Sequence, residues 1–386
     1  MGGELVPGLD SPFRPGYSGL MKSGKVFITG AGGFIGSRLA EQIWRQQRQL
    51  VLLARPGSRS RLEKKLARFG VDPTERLEIV EGDIERPHLG LDSKVLDRLA
   101  GEVTDVFHVA AVYRLDIDEE QAQRTNVEGT RNVIEFCREL PRLLRLNHVS
   151  TLAVAGDFQG HYKEFDFDVG QGFDHAYGLS KFRSEALVRQ ASKSLPVTVY
   201  RPGIVVGDSR TGSIDKIDGP YYAIALLLKL RSLPGARRMP MIVPREEGIY
   251  FHIVPVDYVV RAMVELSGLD QAAGKTFHLM DPEPPTFSQF YNQVLGLMGF
   301  EGRRFSRPLT RTIKLLLRGP SSILRRSMSA LGMPAELLAH LTYRITYDTS
   351  EARQLLLPRD VVCPRYETYL PKLVAFLEQH PGTFGL

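Results

Sequence analysis

The sequence of 386 residues predicts an α/β fold with a doubly wound parallel sheet. Short runs rich in Val, Ile and Leu alternate with longer segments that can form crossover helices, as is typical of parallel strands buried on both faces. A glycine-rich turn, Thr29-Gly-Ala-Gly-Gly-Phe-Ile-Gly36, follows the first run. Much later, Tyr177-Gly-Leu-Ser-Lys181 places a phenol and an ammonium one helical turn apart. These features predict a site at the carboxyl ends of the strands.

The strands are predicted from their apolar runs, and the helices from the spacing of apolar residues. Six strands are expected at Val26–Thr29, Leu50–Ala54, Leu77–Val80, Val106–Ala110, Leu146–Ser150 and Val197–Tyr200. A seventh strand is expected much later, at Thr276–Met280. Between strands, residues 120–140 are predicted to form an amphipathic helix that carries Val127, Val133, Ile134 and Phe136.

The composition excludes several classes of protein. The chain has two cysteines, Cys137 and Cys363, and no CxxC motif, which argues against a disulfide scaffold or a zinc site and predicts no metal. Residues 1–24 lack the apolar run of a signal peptide and are predicted to be a flexible tail. The longest apolar run, Tyr221–Leu228, is too short to span a bilayer. We therefore expect a cytoplasmic protein.

The positive charge is concentrated in one segment. Residues 301–330 contain eight basic residues and one acidic residue, a net charge of +7, whereas the whole chain has a net charge of +6. The rest of the chain is therefore close to neutral. This distribution argues against a nucleic-acid-binding surface that covers the protein.

The glycine-rich turn predicts a Rossmann-type dinucleotide site. Gly30, Gly33 and Gly36 fall between the first strand and the first helix, in the spacing GxxGxxG. A tight turn there lets the backbone approach a pyrophosphate, and the helix N-terminus supplies N–H donors and partial positive charge. The alternative is a glycine turn that only packs the helix on the strand.

The residue after the second strand favours NADPH over NADH. An NAD site usually has an acid there for the ribose hydroxyls, but this chain has Arg55, followed by Ser58, Arg59 and Arg61. Guanidinium and hydroxyl groups suit a 2′-phosphate. The alternative is that these arginines only solvate a loop. Asp83, after the third strand, is expected to accept a hydrogen bond from the adenine amino group.

A Tyr–Lys pair and a strand-end hydroxyl predict proton transfer to a carbonyl oxygen. Tyr177 and Lys181 lie on one helix face, and a nearby ammonium favours the phenolate. Tyr177 can then donate a proton to a developing alkoxide. Thr151 ends the fifth strand and can donate a hydrogen bond to the same oxygen, with Ser150 as the neighbouring candidate.

These residues resemble the extended short-chain dehydrogenase/reductases, with a Thr151–Tyr177–Lys181 triad. Within that superfamily the chain resembles thioester reductase domains and the related fatty acyl-CoA reductases over roughly Lys25 to Phe300. The motifs that carry this resemblance are Gly82–Leu91, His108–Ala111, Asn126–Thr130, Arg201–Gly212, Pro255–Tyr258 and Phe277–Leu279. One departure is Val109, where many relatives have Asn.

The resemblance implies NADPH-dependent reduction of an acyl thioester, bound to an acyl carrier protein or to CoA, to an aldehyde. It leaves open whether the aldehyde is reduced again to an alcohol. The implied cofactor-binding residues are Gly30, Gly33, Phe34, Ile35, Gly36, Arg55, Arg61, Asp83, Ile84, Ala110, Ala111, Lys181, Pro202, Gly203 and Ile204. The implied substrate-binding residues are Val112, Gly207, Ser209, Tyr221, Tyr222 and Ala225.

Two other functions use the same residues and remain open from the sequence. An epimerase of nucleotide sugars or a hydroxysteroid dehydrogenase has the same triad, and a non-catalytic NADPH-binding scaffold has the same fold. Sugar-nucleotide dehydratases of the superfamily carry an Asp-Glu pair directly after the strand-end Thr. Here Leu152 and Ala153 occupy those positions, so elimination lacks its acid and base.

The division of the chain follows from these assignments. Residues 25–207 and 249–281 are predicted to form the NADP-binding Rossmann domain. Residues 208–248 and 282–386 are predicted to form the smaller, mainly helical substrate-binding region. The apolar helix in the first of these segments is expected to line an acyl pocket, and the alternative is that it belongs to the core.

The basic segment 303–326 has three interpretations. It is a charged helix packed on its own domain, a dock for an acidic carrier protein, or a peripheral contact with an anionic membrane. The oligomeric state is not predicted.

Overall fold

The structure is a computed structural model that describes residues 24–71, 76–113, 117–215, 219–239, 241–244, 248–301, 303–306 and 344–381. The predicted tail at residues 1–24 lies outside the described residues except for Gly24. The predicted role of 303–326 falls on a segment of which only the backbone of 303–306 is described.

Seven parallel strands form the central sheet, in the order β11-β7-β5-β4-β1-β2-β3. Their bounds are β1 (Lys25–Thr29), β2 (Leu50–Ala54), β3 (Leu77–Glu81), β4 (Val103–His108), β5 (Arg145–Val149), β7 (Val197–Pro202) and β11 (Thr276–Leu279). The predicted α/β class and doubly wound sheet are confirmed. β4 begins earlier than predicted, because Val103 already pairs with Lys25 of β1, and it ends earlier, because the chain leaves the sheet after His108, where the Ala110 N–H donates to Thr29 Oγ1 (3.3 Å).

Six shorter strands pair in twos outside this sheet, each pair parallel. They are β6 (Gly160–Tyr162) with β13 (Ile345–Tyr347), β8 (Ile204–Val206) with β10 (Ile253–Pro255), and β9 (Met241–Pro244) with β12 (Arg303–Ser306). The pairs join segments that are far apart in sequence, so they tie the later parts of the chain to the central sheet.

The helices are α1 (Phe34–Arg45), α2 (Arg59–Ala67), α3 (Ser93–Glu102), α4 (Glu119–Ala122), α5 (Gly129–Arg138), α6 (Ala176–Ala191), α7 (Tyr221–Arg231), α8 (Val256–Ser267), α9 (Phe287–Leu297), α10 (Ser350–Leu356) and α11 (Tyr366–Gln379). A π-helical turn, Gln123–Glu128, joins α4 to α5. The helix predicted over residues 120–140 therefore contains a π-helical turn that its apolar spacing did not indicate.

Helices cover both faces of the sheet, so each strand is buried on both sides. On one face, Leu39 of α1 and Met263 of α8 share a core with β1 and β2. On the other face, Val133 of α5 and Val188 of α6 share a second core with β4 and β5. This two-sided burial explains why the strand sequences are continuously apolar.

A third core forms outside the central sheet. It contains Tyr221 of α7, Phe290 of α9 and Leu373 of α11, together with Val206 of β8. This core holds together the two parts assigned from sequence to the substrate-binding region. The domain boundaries stay a prediction.

Candidate active site

The glycine-rich turn forms a cradle that side chains would fill. Gly30 has φ of +75°, and a Cβ on it would lie 2.6 Å from the Ala110 backbone nitrogen. A Cβ on Gly36 would lie 2.2 Å from the Gly30 carbonyl oxygen. The Gly33 N–H donates to that oxygen (2.9 Å), and α1 begins at the next residue, Phe34. The turn therefore places the N-terminus of α1 beside glycine backbone that no side chain covers. This arrangement fits a dinucleotide pyrophosphate.

Other predicted cofactor residues lie in the first turn of α1, after β4, or at and after the end of β7. Ile35 lies beside Phe34 in the first turn of α1, and Ala110 and Ala111 follow β4, which lies next to β1 in the sheet. The Gly203 N–H donates to Leu279 O (3.1 Å), and a Cβ on Gly203 would lie 2.3 Å from His252 O. Pro202 and Ile204 flank this glycine where β7 passes into β8.

The residues predicted for the adenosine end follow β2 and β3. Arg55 comes directly after β2 and is exposed, as is Arg61 on α2. Asp83 follows β3, and its Oδ1 accepts from the Glu85 N–H (3.0 Å), which fixes the carboxylate. Ile84 is buried and packs in the core beneath, so its side chain supports this loop.

Tyr177 and Lys181 lie in the first two turns of α6. His175 caps this helix, because its Nδ1 accepts from the Gly178 N–H (2.9 Å). Lys181 Nζ donates to Val149 O at the end of β5 (2.8 Å). This bond fixes the ammonium beside the strand that leads to Thr151.

The two hydroxyl residues that follow β5 make different contacts. Ser150 is buried, and its Oγ donates to Glu185 Oε2 (2.6 Å). Thr151 is half-buried and extended, and its Oγ1 accepts from the Ala153 N–H (3.2 Å), which leaves its own proton available. This geometry favours Thr151 over Ser150 as the donor to a substrate.

Burial sets the charges around Lys181. Burial lowers the pKa of Lys181 to about 8, against the raising effect of Glu185 one turn further along α6. Burial and the Lys181 charge also lower the pKa of His108 to about 3 and that of His148 well below its usual value. Both histidines are therefore neutral at physiological pH, and Lys181 is the group in this cluster that titrates near it.

Comparison with known proteins places this site in a family. The NAD-binding family described as "Male sterility protein" matches residues 28–263. The nonribosomal peptide synthetase asaC of Aspergillus flavus is 32% identical over 280 residues, which cover 68% of this chain and 26% of that protein. The fatty acyl-CoA reductase wat of Drosophila melanogaster is 28% identical over 300 residues, which cover 66% of this chain and 55% of that protein.

A solved structure agrees with these matches. The terminal R domain from the myxalamid PKS-NRPS biosynthetic pathway superposes with a TM-score of 0.76 at 26% identity, covering 93% of this chain and 91% of that domain. The chain belongs to this reductase family, a branch of the extended short-chain dehydrogenase/reductases. The resemblance inferred from the sequence is confirmed. The chain spans between about a quarter and about half the length of the two curated relatives.

Two residues that the sequence analysis did not assign to the site, an asparagine and a tyrosine, contact the site's elements. Asn126, in the π-helical turn, donates from Nδ2 to Ser180 Oγ (2.9 Å) and accepts at Oδ1 from the Val112 N–H (2.9 Å). It thereby ties the loop after β4 to α6. The Tyr113 ring lies edge-on to the Tyr177 ring, with centroids 4.9 Å apart. Asn126 belongs to one of the family motifs, whereas Tyr113 carries no sequence signal.

The sequence analysis also did not predict a cluster of charged residues beside the cradle. Lys65 Nζ donates to the carbonyl oxygens of Gly32 and Gly33 (both 3.0 Å) and pairs with Asp215 (2.7 Å). Arg38 forms two bonds to the same carboxylate (3.1 and 3.2 Å). Burial alone would raise the pKa of Asp215, but the two cations hold it below its usual value. The cluster ties the substrate-side segment to the cofactor turn.

The predicted substrate residues occupy two kinds of position. Val112 is half-buried and packs in one apolar cluster with Tyr177. Tyr221 is only 1% exposed, and its hydroxyl accepts from the Gly207 N–H (2.8 Å), so it supports that glycine from within the third core. Ser209 binds the Asp257 carboxylate through both its N–H and its hydroxyl. On α7, Ala225 is buried and Tyr222 is half-buried.

The described part of the chain shows neither a membrane-crossing helix nor a metal cluster. None of its helices is long and apolar enough to cross a bilayer. Within the same residues, no three His, Cys, Asp or Glu side chains are placed to hold a metal ion.

Proposed function

We propose that this chain is an NADPH-dependent reductase that converts an acyl thioester to an aldehyde. The observation that carries the proposal is the juxtaposition at the end of β5. There the Lys181 ammonium is fixed to Val149 O, Tyr177 lies one helical turn before it, and the Thr151 hydroxyl retains a free proton. The relatives named above, a peptide synthetase and a fatty acyl-CoA reductase, support a thioester as the substrate.

A nicotinamide cofactor, when bound, would supply the hydride for the thioester carbonyl carbon. Tyr177 then gives its proton to the carbonyl oxygen, and Thr151 donates a hydrogen bond to that oxygen while charge develops on it. The Lys181 ammonium stabilises the phenolate that remains. The resulting hemithioacetal re-forms its carbonyl as the carbon–sulfur bond breaks, and the sulfur leaves as a thiol with the hydroxyl proton. The products are an aldehyde and a free thiol.

The residues beside Thr151 argue against a dehydratase. Leu152 is buried and apolar, and Ala153 carries no acidic group, so the site lacks an acid and a base for elimination. The Glu185 carboxylate is bound by Arg201, Arg189 and Ser150 and is buried away from the cleft. Reduction therefore fits these residues better than elimination.

Two arginines support NADPH rather than NADH. Arg55 and Arg61 are exposed, and neither guanidinium makes an ion pair with another described residue. Arg59, between them, pairs with Glu63 (3.0 Å). We infer that Arg55 and Arg61 bind the 2′-phosphate, whereas Arg59 stabilises α2 through its pair with Glu63.

Arg55→Ala should therefore weaken NADPH far more than NADH. A charge-assisted bond to phosphate contributes roughly 1.5–3 kcal/mol, or about a ten- to hundredfold change in affinity. Fluorescence titration gives both dissociation constants, and Arg59→Ala is the matched control because it removes the same charge four residues away, from the first turn of α2. Equal losses for the two cofactors would rule out a 2′-phosphate role.

The acyl group would arrive on a carrier protein or on CoA, and the compartment would be the cytoplasm. Both cysteines are free and buried, which suits a reducing compartment.

The direct test is NADPH oxidation with a panel of acyl thioesters, nucleotide sugars and hydroxysteroids. Turnover of the thioesters, with release of one thiol per aldehyde, is the expected result. Turnover confined to sugars or steroids would indicate an epimerase or dehydrogenase. NADPH binding without turnover of any compound would indicate a scaffold.

A further inference from the structure

A basic groove lies at the C-terminal end of α7. It encloses about 360 Å³ and is lined by Arg231, Leu233, Gly235, Ala236, Arg237 and Arg238. Met239 follows the lining segment. We refer to this feature as the 231–239 groove.

The groove combines uncompensated charge with exposed apolar side chains. Arg237 and Arg238 are exposed, and the described residues provide no carboxylate that pairs with either one. Arg231, in contrast, pairs with Glu378 (2.6 Å). Leu233 is 57% exposed and Met239 is 48% exposed. Cationic groups beside exposed apolar side chains are typical of a surface that binds an acidic protein partner.

The fold brings a second basic stretch to the same place. β12 pairs in parallel with β9, so that Arg303 lies opposite Met241 and Arg304 lies opposite Ile242. The Glu301 N–H donates to Arg237 O (2.9 Å), which joins the two turns. The backbone of Arg303 and Arg304 therefore lies next to the backbone that follows Arg237 and Arg238.

Helix α7 connects the groove to Gly207, which the sequence analysis assigned to substrate binding. At its start, the Tyr221 hydroxyl accepts from the Gly207 N–H (2.8 Å), and at its end Arg231 lines the groove. Eleven helical residues span about 16 Å at the usual rise per residue. A partner bound at the groove would thus lie about one helix length from Gly207, which suits a substrate presented on a flexible arm.

We propose that the 231–239 groove docks the acidic surface of the carrier protein that presents the acyl thioester. This inference rests on the proposed function and adds to it the place where the partner binds. A lipid surface fits the groove less well. The apolar residues Tyr221, Ile224 and Leu227 of α7 are buried in the third core, so this helix has no free apolar face to insert among lipids.

The test compares one acyl group on two carriers. Octanoyl on an acidic acyl carrier protein and octanoyl-pantetheine share the thioester and its arm, but only the first has a protein surface. Arg237→Ser/Arg238→Ser should lower kcat/KM for the protein-bound substrate about tenfold at low salt and leave that for octanoyl-pantetheine unchanged. The loss should shrink at high salt, where charge attraction is screened. Leu233→Ser should produce a smaller, salt-insensitive loss.

The matched control is Arg131→Ser/Arg138→Ser, which removes the same charge from two exposed arginines of α5. It should leave both substrates unaffected. Equal losses for both substrates, or equal losses in the two double variants, would overturn the docking site. So would a loss of binding to phosphatidylglycerol vesicles with unchanged turnover of the carrier-bound substrate.

Failure of the proposed function gives a different result. If the unaltered chain turns over neither octanoyl substrate, the reductase assignment fails, and docking is then judged from the affinity of the labelled carrier protein alone. A tenfold weaker affinity in Arg237→Ser/Arg238→Ser supports the groove, and an unchanged affinity overturns it.

Discussion

At the level of single residues, the proposed proton transfer by Tyr177 depends on the charge of one buried lysine. Lys181 is only 3% exposed and donates to Val149 O, and burial lowers its pKa to about 8. The groups that face it are Glu185 on its own helix, which raises its pKa, and the neutral His108 and His148 on β4 and β5. Lys181 is therefore charged below pH 8 and loses its charge as the pH rises through that value.

Reduction should consequently decline at alkaline pH. We expect kcat/KM to fall by about tenfold per pH unit above pH 8, because the neutral amine no longer stabilises the Tyr177 phenolate. Initial rates from pH 6 to pH 10 measure this decline. Lys181→Arg keeps its charge over that range, so its residual activity should lack the decline. A rate for the unaltered chain that stays flat through pH 9.5 would contradict this role for Lys181.

At the scale of elements, the turn between β1 and α1 depends on the absence of side chains at chosen positions. A Cβ on Gly36 would meet the Gly30 carbonyl oxygen at 2.2 Å, and backbone cannot move aside as a flexible side chain can. Gly32 lies four residues earlier in the same turn, and a Cβ there would meet nothing within 4 Å. The two glycines therefore provide a test of the cradle within one motif.

Gly36→Ala should displace α1 from β1 and weaken NADPH binding by at least about tenfold. It should also lower the free energy of unfolding by about 1–3 kcal/mol, the usual cost of overpacking. Gly32→Ala should change both quantities much less. Urea denaturation and NADPH titration of the two variants give the comparison. Similar effects from both substitutions would mean that the close approach of the backbone does not matter.

Helix α6 is held to the sheet by a buried ion pair. Glu185 and Arg201 are both fully buried and 2.6 Å apart, and Arg201 also contacts His278 Nε2 (3.2 Å). Burial raises the pKa of Glu185, but Arg201 and Arg189 more than offset this and hold it at about 2. Because Tyr177 and Lys181 lie on the same helix, this pair also fixes the position of the two residues proposed to be catalytic.

Arg201→Met should lower the free energy of unfolding by about 3–5 kcal/mol, because it leaves a buried carboxylate without its main partner. Replacing both partners, in Arg201→Met/Glu185→Leu, should cost less than the single change. Urea denaturation of the three proteins measures the difference. A single variant within about 1 kcal/mol of the unaltered chain would show that the pair does not anchor α6.

At the scale of the whole molecule, the sheet and the positions of the motifs could be predicted from the sequence, because both are encoded locally. Strands buried on both faces appear as apolar runs, and a tight turn appears as spaced glycines. The contact of Asp215 with Lys65 and Arg38 could not be predicted, since it depends on which loops meet in three dimensions. The edge-on contact of Tyr113 with Tyr177 is hidden for the same reason.

The apolar residues of α7 show a second limit of sequence reasoning. An apolar helix that lines a pocket has the same pattern as one that packs in a core. The structure buries Tyr221 and Leu227 in the third core and leaves Tyr222 half-buried. Which of these side chains touches an acyl chain remains a prediction.

The proton transfer by Tyr177 is tested by the turnover of octanoyl-pantetheine by Tyr177→Phe, together with the affinity of this variant for NADPH. The substitution removes the proton donor and keeps the ring. We expect kcat to fall by about a hundredfold or more, the usual contribution of a positioned acid, while the dissociation constant of NADPH stays within about threefold. Near-normal turnover in Tyr177→Phe would contradict the role of Tyr177 as proton donor, because the proton would then come from another group.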